Sequence, residues 1–340
     1  MNSAESLASP SGESHAQSGK ILCLMPTFQC TAECQHCGTV SSPRNDTWLS
    51  EQYALSAIDQ AAALGYTGVV LTGGEPTLAP DTLLQAMRRS AFWSLPVRLV
   101  TNAHWAGDDA AAESLLFEWM CAGLVELNVS TGDRHARFIP LDNAIRAATA
   151  AARLRLPAAV IVEAGDPNVI TTAVRERLAG TSVAIVEWTW SQLTPFPKTR
   201  PAGAVNRSNL SQCTGCDSLL TATTVQANGI VSPCCGLGIR FVPELQVGHI
   251  DAGTIAQADD RARQDPLKQR IHEEGPERIL AWAADRDPRI QWEDMYAHRC
   301  QACIRLYKDP MVRKVIAEFD TPSASIADGD LSARTHAGAA

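Results

Sequence analysis

The sequence predicts an α/β protein in which repeated β-α units surround a parallel sheet, followed by a smaller cysteine-rich region. Three observations lead to this prediction. Between residues 20 and 195, short apolar runs alternate with helical stretches. Polar residues follow several of the apolar runs, at the edge where parallel α/β barrels place their active sites. Beyond residue 210 the composition changes, and this part contains six of the eleven cysteines.

Six strands and five helices are predicted in the first part of the chain. The strands are short apolar runs, and several helices are rich in alanine and amphipathic. The predicted strands are residues 21–25, 68–71, 97–101, 124–130, 158–162 and 183–188. The predicted helices are residues 49–64, 82–90, 110–121, 141–154 and 171–178. A hairpin is predicted around Asn228-Gly229, a strong turn dipeptide between residues 223–226 and 230–232.

Changes in composition divide the chain into five segments. Residues 1–18 and 321–340 are rich in small and polar residues, so each is predicted to be a disordered tail. Residues 19–195 form the predicted core domain. Residues 196–210 read as a linker because proline is frequent and periodicity is weak. Residues 211–320 form the predicted cysteine-rich subdomain.

Charge and hydropathy exclude several classes of protein. The formal net charge is -8 and the pI is about 5.5. Sequence-independent nucleic-acid binding needs a concentrated basic surface, so no nucleic-acid partner is expected. The N-terminus has no signal-peptide pattern and the apolar runs are too short to span a membrane. We therefore expect a cytoplasmic protein with no membrane partner.

The strongest chemical signal is the spacing Cys30-x3-Cys34-x2-Cys37, directly after the first predicted strand. Three thiolates occupy three corners of a [4Fe-4S] cluster and leave the fourth iron open to a small ligand. Two alternatives use the same cysteines. They are a zinc site and a four-thiolate electron-transfer cluster that Cys23 completes.

The second predicted strand runs into Gly73-Gly74-Glu75-Pro76. Glycine lets the backbone approach a ligand and exposes its N–H and C=O groups. Glu75 and these carbonyl groups are suited to an α-ammonium group. The combination of this segment with the three cysteines is much more specific than either feature alone.

With both features, residues 21–190 resemble the radical S-adenosylmethionine (SAM) superfamily. The resemblance implies a (β/α)6 partial TIM barrel, with a [4Fe-4S] cluster on Cys30, Cys34 and Cys37. It also implies that SAM chelates the open iron and that Gly73, Gly74 and Glu75 hold the SAM amine. A 5′-deoxyadenosyl radical then abstracts a substrate hydrogen atom. A flavodoxin- or ferredoxin-type protein is expected to deliver the electron.

Polar residues at the ends of later strands are further candidates for SAM or substrate contacts. They are Asn102, Ser130 and Glu163, each of which equally fits a capping or rim position. Asp133 and His135 are placed near the substrate mouth. The chain departs from the family at His36, because an aromatic residue often precedes the third cluster cysteine there.

The C-terminal cysteines resemble those of the Twitch subdomain, a shortened relative of the SPASM extension. Cys216, Cys234, Cys300 and Cys303 are predicted to hold one auxiliary [4Fe-4S] cluster. Zinc is the alternative metal, and Cys213 is the alternative to Cys216. Neighbouring side chains diverge in extended backbone, so Cys235 is expected to be free of the cluster that Cys234 binds. A free thiol near a radical donates hydrogen, which makes Cys235 a candidate hydrogen-atom donor.

The Twitch-like extension suggests a precursor peptide as substrate, modified by epimerisation or cross-linking. This is an argument from family analogy. The alternative is a radical SAM dehydrogenase of a small molecule such as a sugar alcohol. A third hypothesis, a non-catalytic electron carrier, does not explain the amine-binding segment.

Overall fold

The computed structural model describes residues 19–164, 169–189, 196, 204–296 and 298–320. The predicted tails 1–18 and 321–340 and residues 197–203 of the predicted linker lie outside the described residues. The first part of the fold alternates strands and helices in the order β1 Ile21–Leu24, α1 Glu51–Ala63, β2 Gly68–Leu71, α2 Pro80–Phe92, β3 Val97–Thr101, α3 Asp109–Ala122, β4 Leu124–Gly132, α4 Leu141–Arg153, β5 Ala158–Ala164, α5 Val169–Arg177 and β6 Ala184–Thr189.

The C-terminal part contains a short antiparallel ribbon and five helices. Its elements are β7 Ala222–Val225, β8 Ile230–Ser232, β9 Gly248–His249, α6 Ile255–Arg263, α7 Pro266–Glu274, α8 Pro276–Arg286, α9 Arg299–Lys308 and α10 Pro310–Asp320. Helix α9 carries Cys300 and Cys303 in its first turns. The hairpin predicted around Asn228-Gly229 is present as β7 and β8, which pair antiparallel.

All nine strands of the described residues belong to one open sheet with the order β6-β5-β4-β3-β2-β1-β7-β8-β9. Strands β1 to β6 are parallel because a helix connects each strand to the next. Parallel strands put their carboxyl ends at the same edge of the sheet. The ends of β1 to β6 therefore point to one side, and the predicted α/β partial barrel is confirmed.

The C-terminal ribbon continues the barrel sheet. Strand β7 pairs parallel with β1, and Cys23 lies opposite Thr224 in that register. A linker at residues 196–210 is predicted between the two parts. In the structure the cysteine-rich region nevertheless supplies the sheet neighbour of the first strand, so the two parts share a continuous sheet.

Two hydrophobic cores support this architecture. The first lies between the outer face of the sheet and helices α1 to α5, with Leu22, Leu71 and Leu99 fully buried. The second packs the C-terminal helices together and includes Met25 and Phe28 from the loop after β1. The C-terminal part therefore packs directly behind the loop that carries the first three cysteines.

Helix ends follow local sequence signals. The Ser50 and Asp108 side chains accept hydrogen bonds from backbone N–H groups in the first turns of α1 and α3. Gly123 ends α3 with φ of 121°, a conformation that favours glycine. No helix in the described part of the chain combines the length and apolar character needed to cross a bilayer.

Candidate active site

A pocket lies at the carboxyl ends of the parallel strands. The loop after β1 contributes Cys30, Cys34 and Cys37 to its wall, and the C-terminal part contributes Leu237. The strand ends contribute a polar set comprising Thr72, Gly73, Gly74, Thr101, Asn102, Ser130, Thr131 and Glu163, with Trp188 from β6. Every predicted SAM-site residue except Glu75 therefore lines one pocket.

The three cysteines sit in a loop whose polar groups point at their sulfur atoms. The Ala32 N–H donates to Cys30 Sγ at 3.4 Å, and the Ser41 N–H donates to Cys37 Sγ at 3.4 Å. The Thr39 hydroxyl lies 3.2 Å from Cys37 Sγ. Hydrogen bonds to sulfur stabilise thiolate ligands and tune the potential of a bound cluster.

The positions of the sulfur atoms fit a cluster better than a single metal ion. Tetrahedral zinc holds thiolate sulfurs about 3.8 Å apart, whereas each thiolate of a [4Fe-4S] cluster binds a different iron. Among the residues that the structure describes, only His36, His135 and Glu163 bring three ligand atoms within 4.8 Å of one another. The three sulfurs after β1 are thus spread more widely than zinc requires.

Burial and mutual proximity make thiolates costly in this loop without a bound cation. Burial, with smaller contributions from neighbouring acidic groups, raises the pKa of Cys30 to about 11 and that of Cys34 to about 12. A positively charged iron cluster offsets both effects. The alternative in which Cys23 completes a four-thiolate cluster is not supported, because Cys23 lies on β1, packs with Val70 and Ala222, and does not line the pocket.

Glycine is required at both positions of the Gly73-Gly74 segment. Gly73 has φ of +125°, and a Cβ there would lie 2.8 Å from the Thr27 carbonyl oxygen. A Cβ on Gly74 would overlap the carbonyl oxygen of Gln29. The Gly74 and Glu75 N–H groups donate to the carbonyls of Thr27 and Gln29, so this segment packs against the cysteine loop.

Glu75 differs from the expectation that its side chain grips the amine. Its side chain is fully buried and is absent from the pocket lining. Oε1 accepts hydrogen bonds from the Thr101 hydroxyl at 2.8 Å and the Thr77 hydroxyl at 2.7 Å, and Oε2 accepts from the Asn102 N–H at 2.8 Å. The carboxylate therefore joins the ends of β2 and β3 behind the pocket wall.

Asn102 connects the end of β3 to the cysteine loop. Its side-chain amide donates to Thr31 Oγ1 at 3.1 Å and approaches Cys30 Sγ at 3.5 Å. Ser130 lines the same pocket from β4. The structure thus brings both predicted residues to the pocket and gives Asn102 a second contact, to the cysteine loop.

Glu163, at the end of β5, is the centre of a charged group in the pocket wall. Its Oε1 lies 2.8 Å from Arg134 NH1, and its Oε2 lies 3.1 Å from His36 Nε2 and 3.8 Å from His135 Nδ1. Burial opposes ionisation of Glu163, but the contact with His135 and the neighbouring His36 and Arg134 side chains outweigh it and lower the pKa of this carboxyl group.

His36 is neutral in this group at pH 7, since burial lowers its pKa to about 4. At pH 7 the positively charged neighbour of Glu163 is therefore Arg134. Although His36, His135 and Glu163 have the spacing of a metal site, the Arg134 guanidinium already neutralises the carboxylate and disfavours a cation. We read this group as part of the pocket's polar wall.

The structure brings Cys216, Cys234, Cys300 and Cys303 together. Each thiol interacts electrostatically with the other three. A Cβ on Gly236 would lie 3.3 Å from Cys300 Sγ and 3.5 Å from Cys234 Sγ, so this glycine lies against both sulfurs. Backbone N–H groups point at three of the sulfurs. These sulfurs, too, are spread more widely than a single zinc ion requires.

Cys213 lies apart from this group. Its electrostatic neighbours are Glu277, Arg278 and Arg299, and its carbonyl oxygen accepts a hydrogen bond from Arg278 Nε at 2.9 Å. Cys216, by contrast, is flanked by the other three thiols. The geometry therefore favours Cys216 over Cys213 in the four-sulfur group.

Cys235 follows Cys234 in the chain and differs from it in burial, because Cys235 is exposed whereas Cys234 is buried. The bonds from Cys23 and Ser218 lower the pKa of Cys235 below its ordinary value. That Cys234 and Cys235 diverge stays a prediction.

Three residues in this region were not singled out in the sequence. Thr101 donates a hydrogen bond to Glu75, and Arg134 pairs with Glu163. Arg240 donates a hydrogen bond to the carbonyl of Thr39, and its guanidinium lies 3.8 Å from the centre of the Phe28 ring. Thr101 and Arg134 lie at or just after the end of a strand, a position in the sequence that could have identified both as site residues. Nothing local pointed to Arg240, whose partners are about 200 residues away.

Comparison with known families agrees with this geometry. The family model described as the radical SAM superfamily matches residues 24–163, which span β1 to β5. Residues 24–163 are a radical SAM domain. The match contains the three cysteines, the Gly73-Gly74-Glu75 segment and Glu163.

Solved structures share the fold of this chain. A structure described as native anSMEcpe with bound AdoMet and Cp18Cys peptide has a TM-score of 0.55 and 13% sequence identity, and covers 88% of this chain and 95% of its own. The structure of native anSMEcpe with bound AdoMet has a TM-score of 0.56 and 11% identity, with coverage of 88% and 96%. At this identity the likeness establishes the fold alone.

Two further proteins match this chain over shorter segments. A 7,8-didemethyl-8-hydroxy-5-deazariboflavin synthase of Synechocystis is 32% identical over 72 residues, 21% of this chain and 21% of that protein. The putative peptide biosynthesis protein YydG of Bacillus subtilis is 24% identical over 112 residues, 33% of this chain and 35% of that protein. The matches thus span about a fifth and about a third of these relatives.

Proposed function

We propose that this chain cleaves SAM reductively and uses the resulting 5′-deoxyadenosyl radical to abstract a hydrogen atom from a precursor peptide. The observation that carries the proposal is a single pocket lined by Cys30, Cys34 and Cys37 on one side and by Gly73 and Gly74 on the other. A cluster with one open iron and an amino acid ligand beside it fit such a pocket.

When bound, a [4Fe-4S] cluster with an open iron supplies the electron that splits the sulfonium of SAM into methionine and the radical. The protein supplies placement and shielding. The carbonyls of Gly73 and Gly74 orient the SAM amine, while Glu75 keeps β2 and β3 in register behind them. Asn102, Ser130 and Glu163 provide polar groups for the remainder of SAM or for the substrate.

The second cysteine group is proposed to hold an auxiliary [4Fe-4S] cluster on Cys216, Cys234, Cys300 and Cys303. Support comes from their mutual proximity and from the sulfur-directed N–H groups. We propose a flavodoxin- or ferredoxin-type electron donor and a cytoplasmic location, where such reductants operate.

A peptide substrate is proposed on two grounds. The structure of similar fold described above contains a bound peptide, and YydG is named for peptide biosynthesis. For epimerisation, a hydrogen atom must return to the substrate carbon from the opposite face. Cys235 suits that role because it is an exposed thiol next to the buried Cys234. A small-molecule substrate is the second candidate, which the match to a deazariboflavin synthase favours.

The cleavage step is tested with anaerobically reconstituted protein, SAM and dithionite. We expect 5′-deoxyadenosine and methionine in equal amounts from the unaltered chain and none from Cys34→Ala. Cys121→Ala serves as the matched control, because Cys121 is an exposed thiol on α3. Absence of 5′-deoxyadenosine from protein with full iron content would refute the proposal.

The substrate class is tested by co-expression with short reading frames beside the gene, followed by mass spectrometry of the peptides. Growth in deuterated water adds one mass unit for each epimerised residue, whereas a cross-link removes two hydrogens. Cys235→Ala is expected to abolish the deuterium gain without lowering the yield of 5′-deoxyadenosine. A peptide that remains unmodified, while a sugar alcohol is oxidised, would favour the small-molecule alternative.

A further inference from the structure

Arg240 belongs to the cysteine-rich part of the chain, but its partners lie in the loop after β1. Its guanidinium donates hydrogen bonds to the carbonyl oxygen of Thr39 and, at 3.3 Å, to that of Val40. The same group lies 3.8 Å from the centre of the Phe28 ring, within the range of a cation–π contact. The half-buried guanidinium therefore holds the loop just beyond its third cysteine.

The segment that carries Arg240 begins at the four-sulfur group. Gly236 lies against two sulfurs of that group. Leu237 lines the SAM pocket and packs against Gly38, where a Cβ would overlap the leucine side chain. Residues 236–240, the bridging segment, thus contact both the four-sulfur group and the loop that carries the first three cysteines.

The backbone of Val40 shows why this loop needs a partner from another part of the chain. Its φ is +50°, in the left-handed region that a β-branched residue rarely adopts. Its N–H donates to the Cys37 carbonyl oxygen at 3.2 Å, which closes a turn directly after the third cysteine. Such a conformation persists only where its surroundings impose it. The two hydrogen bonds from Arg240 therefore stabilise a turn that its own sequence disfavours.

Thr39 connects this turn to both sides of the SAM pocket. Its hydroxyl donates to the Gly73 carbonyl oxygen at 3.1 Å and lies 3.2 Å from Cys37 Sγ. The Ser41 hydroxyl lies 2.8 Å from the same Thr39 oxygen. A displacement of the Thr39 backbone would thus change the surroundings of a predicted cluster ligand and of a carbonyl proposed to orient the SAM amine.

We propose that Arg240 is a positioning residue for the SAM site, because it holds Thr39 where its hydroxyl acts on Gly73 and Cys37. This assignment rests on the proposed function, since it concerns the SAM and cluster groups of that site. The guanidinium acts on the backbone of Thr39, and the hydroxyl of Thr39 acts on the pocket. The cysteine-rich part thereby has a role in SAM binding that is separate from holding a second cluster.

Thr39→Val and Arg240→Met are expected to change the same two properties. Thr39→Val removes the hydroxyl at nearly constant shape, and Arg240→Met removes the donors but retains an apolar stem beside Phe28. Each should weaken SAM binding about three- to tenfold, the effect of one lost hydrogen bond. Each should also make the potential of the first cluster more negative, because a polar donor beside a thiolate sulfur stabilises the charge added on reduction.

The double variant separates positioning from a direct effect of charge. If Arg240 acts through Thr39, Arg240→Met should change neither property further in a chain that already carries Thr39→Val. Arg240→Lys keeps the charge and a donor, so its values should fall between those of Arg240→Met and the unaltered chain. Arg286→Met is the matched control and should change neither property. The Arg286 guanidinium lies 4.0 Å from the centre of the Trp282 ring and donates to a carbonyl of its own helix, α8.

Both properties are measured on the reconstituted full chain, with the iron content determined for every variant. Calorimetric titration gives the SAM affinity. A redox titration followed by EPR gives the cluster potential, and Cys34→Ala protein supplies the signal of the second cysteine group alone. Arg240→Lys provides the comparison if Arg240→Met loses iron.

The outcomes are distinguishable from those that test the proposed function. Unchanged SAM affinity and cluster potential in iron-replete Arg240→Met would overturn the positioning role and leave SAM cleavage intact. Equal effects of Arg240→Met with and without the Thr39 hydroxyl would also overturn it, because the guanidinium would then act by its charge. An unaltered chain that binds no SAM would refute the proposed function, and the redox titration, which contains no SAM, would still decide the role of Arg240 at Cys37.

Discussion

The Oε2 atom of Glu75 accepts a hydrogen bond from the Asn102 N–H at 2.8 Å, and the side-chain amide of Asn102 approaches Cys30 Sγ at 3.5 Å. A buried carboxylate is thus connected to the cluster loop through one residue. The acidic residue of the Gly73-Gly74-Glu75 segment acts on the site by holding β2 and β3 together. This relationship leads to the first prediction.

Glu75→Gln is expected to lower the free energy of unfolding by about 1 to 3 kcal/mol, because an amide NH₂ would replace an acceptor that faces protein donors. Glu113→Gln is the matched control, since its carboxylate forms an exposed ion pair with Arg153 whose loss costs less than about 1 kcal/mol. Urea unfolding of both variants measures the difference. Unchanged stability of Glu75→Gln, with only weaker SAM binding, would instead assign the carboxylate to the amine.

Gly74→Ala is expected to abolish SAM binding while leaving the first cluster's iron in place. The added methyl group would overlap the Gln29 carbonyl, so the segment must move away from the cysteine loop. Gly107→Ala is the control, because nothing lies within 4 Å of a Cβ there. Calorimetric titration with SAM and iron analysis provide the two measurements. Normal SAM affinity in Gly74→Ala would contradict a close backbone approach at this position.

Glu163→Gln is expected to weaken SAM binding about tenfold or more, because Arg134 loses its charged partner in the pocket wall. Glu187→Gln is the control on the next strand, where Glu187 pairs with Arg175 and is about one-third exposed. Equal SAM affinity in both variants would exclude Glu163 from the site.

The effect of Glu163→Gln on the stability of the folded chain should depend on pH. The pKa of Glu163 is lowered from its ordinary value of 4.5, so its carboxylate stabilises the folded chain above that pH. This contribution disappears as the pH falls through the lowered pKa of the folded state. The difference in melting temperature between the unaltered chain and Glu163→Gln should therefore be full at pH 7 and shrink below pH 4.5. A difference that grows in acid would contradict this sign.

Much of the barrel could be predicted because its signals are local. Strands β2 and β3 have the predicted bounds, since short apolar runs end at glycine, proline or polar residues. The three-cysteine spacing and the two glycines lie within one loop each. Their meeting in one pocket follows from parallel strands that end at the same edge.

What could not be predicted depends on contacts between distant residues. The pairing of β7 with β1 joins segments about 200 residues apart, and no local pattern specifies it. That pairing places Thr224 opposite Cys23, a neighbour that the sequence around Cys23 does not predict. The hydrogen bonds of Glu75 could not be predicted for the same reason. Its donors Thr101 and Asn102 lie at the end of another strand, so nothing near Glu75 in the sequence indicates them.

Iron content provides the last prediction, because Cys213 and Cys216 are equivalent by spacing and different in position. We expect about eight irons per unaltered chain, the content of two [4Fe-4S] clusters. Cys216→Ala should retain about four, since it removes one ligand of the four-sulfur group, while the loop after β1 keeps its own three thiolates. Cys213→Ala should retain about eight, because its thiol faces Glu277 and Arg299 and no other cysteine. The reverse result would make Cys213, and not Cys216, the fourth ligand. Zinc found in place of the second four irons would mean that these cysteines hold a structural zinc ion and not an auxiliary cluster. Iron and sulfide analysis with EPR of the reduced variants distinguishes all three results.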